Sequence, residues 1–214
     1  MIPCCSISPR STMWKQMARS CLVLAACLSF ARPASAGSVV NGGFETGNFT
    51  GWTQSGDTSF TGVGNAATLA GLGGSVHSGT FAAYFGPGGG SRGLGFITQT
   101  LATTPGTDYT LDFWLAHPFT DPGSGVEWLV RVGGNTLLDS HDTPSFDYKE
   151  FNTFTFTATS ASTDLQFGFA EPAGFFFLDD VSANVPEPGS CILLGVGAAM
   201  LFGYSRLRRK SAVA

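Results

Sequence analysis

Residues 107–116 (TDYTLDFWLA) alternate strictly, with Tyr109, Leu111, Phe113 and Leu115 on one side and Thr110, Asp112 and Trp114 on the other. A period of two places successive side chains on opposite faces of a pleated sheet, so one face of this segment must be buried. The signature recurs along the chain. Val126, Trp128, Val130 and Val132 share a face, and Gly133-Gly134-Asn135 then turns the chain toward Thr136-Leu137-Leu138, which predicts a hairpin. Residues 151–159 (FNTFTFTAT) present Phe154 and Phe156, residues 164–170 present Leu165, Phe167 and Phe169, and shorter β runs cover 80–85 and 96–101. Clusters of Gly, Pro, Ser and Asn separate these runs, and no amphipathic helix interrupts them. The pattern predicts an all-β, antiparallel β-sandwich. Gly-rich residues 62–75 and 86–95 are expected to be mobile loops. No long-period repeat is present, which argues against a solenoid or propeller.

The cysteines lie outside the predicted sandwich. Cys4, Cys5, Cys21 and Cys27 precede residue 37 and Cys191 follows residue 184, so 37–184 contains no disulfide, thiolate metal site or thiol nucleophile. That stretch is long enough for one domain with a sizeable core. Charge sorts in the same way. Within 37–184 only Arg92, Arg131 and Lys149 are basic, against many Asp and Glu residues. Such an acidic domain lacks the clustered cations that nucleic acid or an anionic membrane would need, and neutral polymers or cations suit it better.

The two ends carry different signals. Arg10, Lys15 and Arg19 precede an apolar stretch at 21–30, and Ala34-Ser35-Ala36 offers small residues for cleavage, so 1–36 is expected to be a secretory signal peptide. Leu24-Ala25-Ala26-Cys27 is a rival lipoprotein-type cleavage box. At the other end, Val185-Pro186-Glu187-Pro188-Gly189 leads into an apolar run at 191–204 and then Arg206-Leu207-Arg208-Arg209-Lys210. The prolines keep the entry extended. A helix over 191–204 covers roughly 20 Å, short of a hydrocarbon layer about 30 Å thick, so its anchoring is expected to be marginal. The basic cluster belongs on the cytoplasmic side, which exports everything before residue 185.

The sequence from 185 to about 210 resembles the PEP-CTERM sorting signal of Gram-negative bacteria: the Val-Pro-Glu-Pro-Gly core, the short helix and the Arg-rich end occur in order. The resemblance implies recognition by an exosortase, a membrane protease-transferase, with cleavage near Pro186-Glu187-Pro188. It also implies a bacterium that makes exopolysaccharide, and a protein held transiently in the inner membrane before reaching the cell surface or extracellular matrix. Three segments follow: a signal peptide at 1–36, an ectodomain at 37–184, and a sorting signal with a single transmembrane helix at 185–214.

A second resemblance sits at the ends of the ectodomain. Asn41-Gly42-Gly43-Phe44-Glu45 followed by Gly51-Trp52 looks like the opening strand of jelly-roll, galactose-binding-like sandwiches, which include many carbohydrate-binding modules; Leu178-Asp179-Asp180-Val181-Ser182 looks like their closing strand. The resemblance implies adjacent termini tied by a structural calcium. Glu45, Asp179 and Asp180 are the expected ligands, since a hard cation takes six to eight oxygens. The rival reading is solvated carboxylates at strand ends.

A glycan site needs an exposed aromatic for the sugar C–H face, with polar groups beside it for the hydroxyls. Trp114 is the expected platform, with Asp112 on its face, His117 at the strand end, and Arg131 on the outward face of the next strand. Trp52 and Trp128 are expected to pack inside. Acidic residues are plentiful enough for a glycosidase, but there is no G-x-S-x-G, HExxH or P-loop motif, and His77, His117 and His141 are scattered. His77 reads as a turn or surface residue. The leading expectation is a non-catalytic surface protein associating with exopolysaccharide; a purely structural matrix protein and a small secreted glycoside hydrolase are the alternatives.

Overall fold

The computed structural model describes residues 39–86, 93–119 and 125–186, together with Gly195, Gly197 and Leu201. The predicted signal peptide, Glu187, Pro188 and Gly189, most of the 191–204 run and the basic tail lie outside the described residues. Gly195, Gly197 and Leu201 are helical, and among the described residues no helix is long and apolar enough to cross a membrane.

Among the described residues between 39 and 186, ten strands and one short helix follow in order: β1 (Thr53–Gly56), β2 (Thr61–Asn65), α1 (Ala66–Gly71), β3 (Phe81–Phe85), β4 (Gly95–Ala102), β5 (Asp108–His117), β6 (Glu127–Val132), β7 (Asn135–His141), β8 (Phe146–Thr157), β9 (Ser162–Ala170) and β10 (Phe176–Asn184). They form two five-stranded sheets, β1-β4-β9-β6-β7 and β2-β3-β10-β5-β8, in which every pairing is antiparallel. We call these the first and second sheets.

The alternation decides what lies between them. Leu111, Phe113 and Leu115 of β5 meet Leu165, Phe167 and Phe169 of β9, Val130 and Val132 of β6, and Phe176 and Leu178 of β10, all buried. Phe113 packs edge-on to Phe167, and Phe85 stacks on Phe169 with ring centroids 4.3 Å apart. Each such ring contributes about 1.5–3 kcal/mol of burial. Gly133 and Gly134, both at positive φ, make the two-residue turn of the β6–β7 hairpin. A primed turn of this kind needs left-handed backbone at both positions, which glycine supplies without strain.

The structure departs from the sequence reading in three places. The segment 41–45 is a turn, not an opening strand: Asn41 and Phe44 take positive φ, and the Asn41 amide donates to the carbonyls of Asn48 and Thr50. It does lie beside the closing strand, where Val181 N–H donates to Gly42 O at 3.0 Å. Residues 62–75 are ordered as β2 and α1, because Asn65 caps the helix by accepting from Thr68 N and Leu69 is fully buried. The other glycine-rich segment lies outside the described residues at 87–92. Finally, β5 and β6 are consecutive in the chain but belong to different sheets.

Candidate functional site

The outer face of the second sheet carries the predicted aromatic and the closing-strand aspartates. In register across β10, β5 and β8, Asp179 sits beside Trp114 and Trp114 beside Glu150, while Ser182 pairs with Asp112. Between Asp179 and Ser182 the strand bulges, and Asp180 takes a positive φ of 50°. The loop at 72–80 crosses above. His77 N–H and Ser78 N–H donate to Asp179 Oδ2 at 3.1 and 3.2 Å, Ser78 Oγ donates to Asp180 Oδ1, and His77 Nδ1 lies 2.7 Å from Asp180 Oδ2. The Tyr148 hydroxyl donates to Ser75 O, holding the loop from the β8 side.

Burial sets the electrostatics. Asp179 is fully buried, and desolvation pushes its carboxyl up to about 6 although Ser78, Asp180 and His77 amides favour the charged form. Asp112 is raised by burial and then by the charges of Glu150 and Asp180; Tyr148 is raised by burial and then by Asp179 and Asp180.

The predicted glycan residues are not brought together. Trp114 is half-buried, and the His77 imidazole stacks on its indole at 3.8 Å and 16°, taking up the surface a sugar would use. Asp112 stays on that covered face. His117 is a correction: it is 1 % exposed, its Nε2 pairs with Glu171, and its ring stacks on Phe176, so no ligand reaches it. In that pair burial pushes Glu171 up, but His117 and the amides of Ala173 and Gly174 outweigh it and hold the carboxyl below its usual range. Arg131 is a second correction, because β6 lies in the first sheet and its outward side chain is on the far side of the sandwich from Trp114. Trp52 and Trp128 are in the core.

The predicted calcium set is divided as well. Ligating atoms of Asp179, Asp180 and His77 lie within 4.8 Å of one another, and Glu45 falls outside this group. Glu45 instead accepts from Thr80 N–H and Phe81 N–H, fixing the entry to β3. The group that converges here, two carboxylates and an imidazole, is not by itself the all-oxygen set a hard cation favours. His77 escaped the sequence reading because it lies about a hundred residues from its aspartates, with no local pattern linking them.

The outer face of the first sheet is different. Phe96, Gly168, Leu129 and Asp139 follow one another in register across β4, β9, β6 and β7. The Phe96 ring lies over Gly168: a Cβ there would stand 2.7 Å from the ring and 3.1 Å from Leu129. Thr98, Gln166 and Arg131 form the next row, with Gln166 Nε2 donating to Thr98 Oγ1 at 3.0 Å. On the other side of Phe96 stand Ala170, Glu127 and His141, and His141 Nε2 is 3.2 Å from Asp139 Oδ1. Phe96, Thr98, Gln166, Glu127 and Arg131 are half-exposed, and Asp139 and His141 exposed. The result is one half-exposed aromatic ring beside buried Leu129, bordered by amide, hydroxyl, guanidinium and carboxylate groups.

No family model matches the sequence, and no curated protein matches it. Among solved structures, the fold is similar to TmCBM61, determined in complex with β-1,4-galactotriose, with a TM-score of 0.53 and 21 % identity over 70 % of this chain and 99 % of that one. It is also similar to the enzymatically active domain of tailspike protein 4 of bacteriophage CBA120, with a TM-score of 0.50 and 16 % identity over 70 % of this chain and 21 % of the tailspike. At these identities the shared property is the fold. The domain is an all-β antiparallel sandwich of the jelly-roll kind found in carbohydrate-binding modules.

Proposed function

We propose that the sandwich binds a polysaccharide without cleaving it, on the outer face of its first sheet, and that the chain is an exported exosortase substrate bringing this domain to the cell surface or extracellular matrix. The observation that carries the binding reading is the half-exposed Phe96 ring laid over Gly168, with polar, solvent-accessible rows on either side of it. A pyranose presents an apolar C–H face and a rim of hydroxyls, so it needs a flat apolar platform with planar hydrogen-bonding groups beside it. Phe96 supplies the first; Gln166, Arg131, Thr98 and Glu127 supply the second. The β-1,4-galactotriose bound by TmCBM61 makes β-1,4-galactan the first ligand to try. The export reading rests on Val185-Pro186-Glu187-Pro188-Gly189 with the apolar run and basic end that follow. A cation on Asp179 and Asp180 would tie the closing strand to the 72–80 loop.

Affinity electrophoresis against β-1,4-galactan and the producer's own exopolysaccharide tests the binding reading. Wild type is expected to be retarded, Phe96→Ala to lose about 10-fold or more in affinity, and Trp114→Ala to bind like wild type. Retardation lost in Trp114→Ala but kept in Phe96→Ala would move the site to the second sheet. No retardation of wild type leaves a structural matrix protein, and release of soluble sugar makes it a hydrolase. Mass spectrometry of the native protein tests the sorting reading, which requires a C-terminus near Pro186-Glu187-Pro188.

A further inference from the structure

We propose that His77, Asp179 and Asp180 bind one divalent transition-metal ion of the zinc class. The donor atoms already converge, lying within 4.8 Å of one another. Ligands about 2.0–2.2 Å from a tetrahedral Zn2+ stand roughly 3.3–3.6 Å apart, so the wider pairs close by about an ångström while His77 Nδ1 and Asp180 Oδ2, now 2.7 Å apart, open to admit the ion. The donor types point the same way, since a mixed imidazole and carboxylate set suits zinc-class ions, whereas an all-oxygen shell suits calcium.

The imidazole is held by its surroundings. It stacks on Trp114 at 3.8 Å and tilts against Tyr148 at 5.2 Å, while the backbone on either side of it is pinned to Asp179. Asp180 takes a further hydrogen bond from Ser78 Oγ and Asp179 one from the Asp180 amide. Such outer contacts orient the ligands before the ion arrives.

An independent observation asks for a cation. Asp112 on the neighbouring strand has a buried Oδ1 with no hydrogen-bond partner. Buried acceptors of this kind are normally satisfied. Among the described residues, no lysine or arginine pairs with Asp112, Asp179 or Asp180.

The test is a titration of the full exported chain, stripped with EDTA, with ZnCl2 and separately CaCl2, followed by calorimetry and thermal unfolding. One equivalent of Zn2+ is expected to bind, about a thousandfold excess of Ca2+ fails to displace it, and the unfolding midpoint rises by several degrees at about 100 Kd. His77→Asn keeps a hydrogen-bonding atom near Asp180 and is expected to fold, with Zn2+ affinity reduced by about 100-fold. Ni2+ is expected to quench the Trp114 part of the wild-type emission, so that Trp114→Phe shows little further quenching. Equal binding of Ca2+ and Zn2+ that ignores His77→Asn would overturn the proposal in favour of a hard-cation site. Binding abolished by His141→Asn but not His77→Asn would move it to the Glu127–Asp139–His141 group, whose His and Asp are 62 % and 45 % exposed. Folded wild type that binds neither ion overturns it outright.

Discussion

The outer faces of the two sheets follow the same alternation and end differently. On the second sheet the outward residues include Ala82, Ala116 and Phe177, all buried because α1 and the 72–80 loop pack over them through Leu69, Leu72 and Val76. On the first sheet they are mostly Thr98, Thr100, Asp164, Gln166, Glu127 and Arg131, which water can satisfy, with half-exposed Phe96 and buried Leu129 as the large apolar exceptions. An apolar outward row requires a cover, and a polar one can stay open. A binding site is therefore sought on the face that needs no cover.

Several substitutions can break or sharpen this contrast. The largest effect is expected from Phe177→Ala, which empties the cluster beneath the cover and should cost about 3–5 kcal/mol in denaturant unfolding, whereas half-exposed Phe96→Ala should cost under about 2 kcal/mol. Equal costs would mean that both faces are covered. Glu171→Gln, in the turn that joins β9 of one sheet to β10 of the other, weakens a charge-assisted bond to His117 and should cost about 1.5–3 kcal/mol at neutral pH. Because the Glu171 carboxyl is held below its ordinary value of 4.5, its contribution is full above that pH and is lost as pH falls below it. Stability measured from pH 7 to 3 should thus fall less in Glu171→Gln than in wild type. Gly74→Ala places a Cβ 2.2 Å from the Phe177 ring and should cost about 1–3 kcal/mol by forcing the cover outward. It should also raise the accessibility of Trp114 to acrylamide. Asn65→Ala removes the α1 cap and should cost about 1 kcal/mol, leaving glycan binding untouched.

Strands whose two faces differ sharply were legible in the sequence. Tyr109, Leu111, Phe113 and Leu115 are buried as their spacing requires, as are Leu165, Phe167 and Phe169, and the Gly133-Gly134 turn joins β6 to β7. What period two cannot carry is whether the outward side is roofed, which is why Trp114 read as an exposed platform although His77 stacks on it. Nor does chain order give sheet membership: β5 and β6 are neighbours in sequence and lie in opposite sheets, so Arg131 was placed with the wrong partners. Of the expected ions' ligands, Asp179 and Asp180 do converge, but the third member comes from a loop whose only local signature was glycine. The Phe96–Gly168 contact is a cross-strand relation between residues about seventy positions apart, invisible to any local pattern.

The placement of β10 also determines how the domain responds to force. This strand is the middle one of its sheet, bonded to β3 on one side and β5 on the other, and it is the strand from which the chain leaves toward residue 186. A tug on that end runs lengthwise along β10, so its rungs to β5 and the Val181–Gly42 bond are loaded together in shear instead of peeling one by one. A domain fastened by this end and dragged by flowing water would hold its shape for longer than one fastened through an edge strand such as β1 or β8.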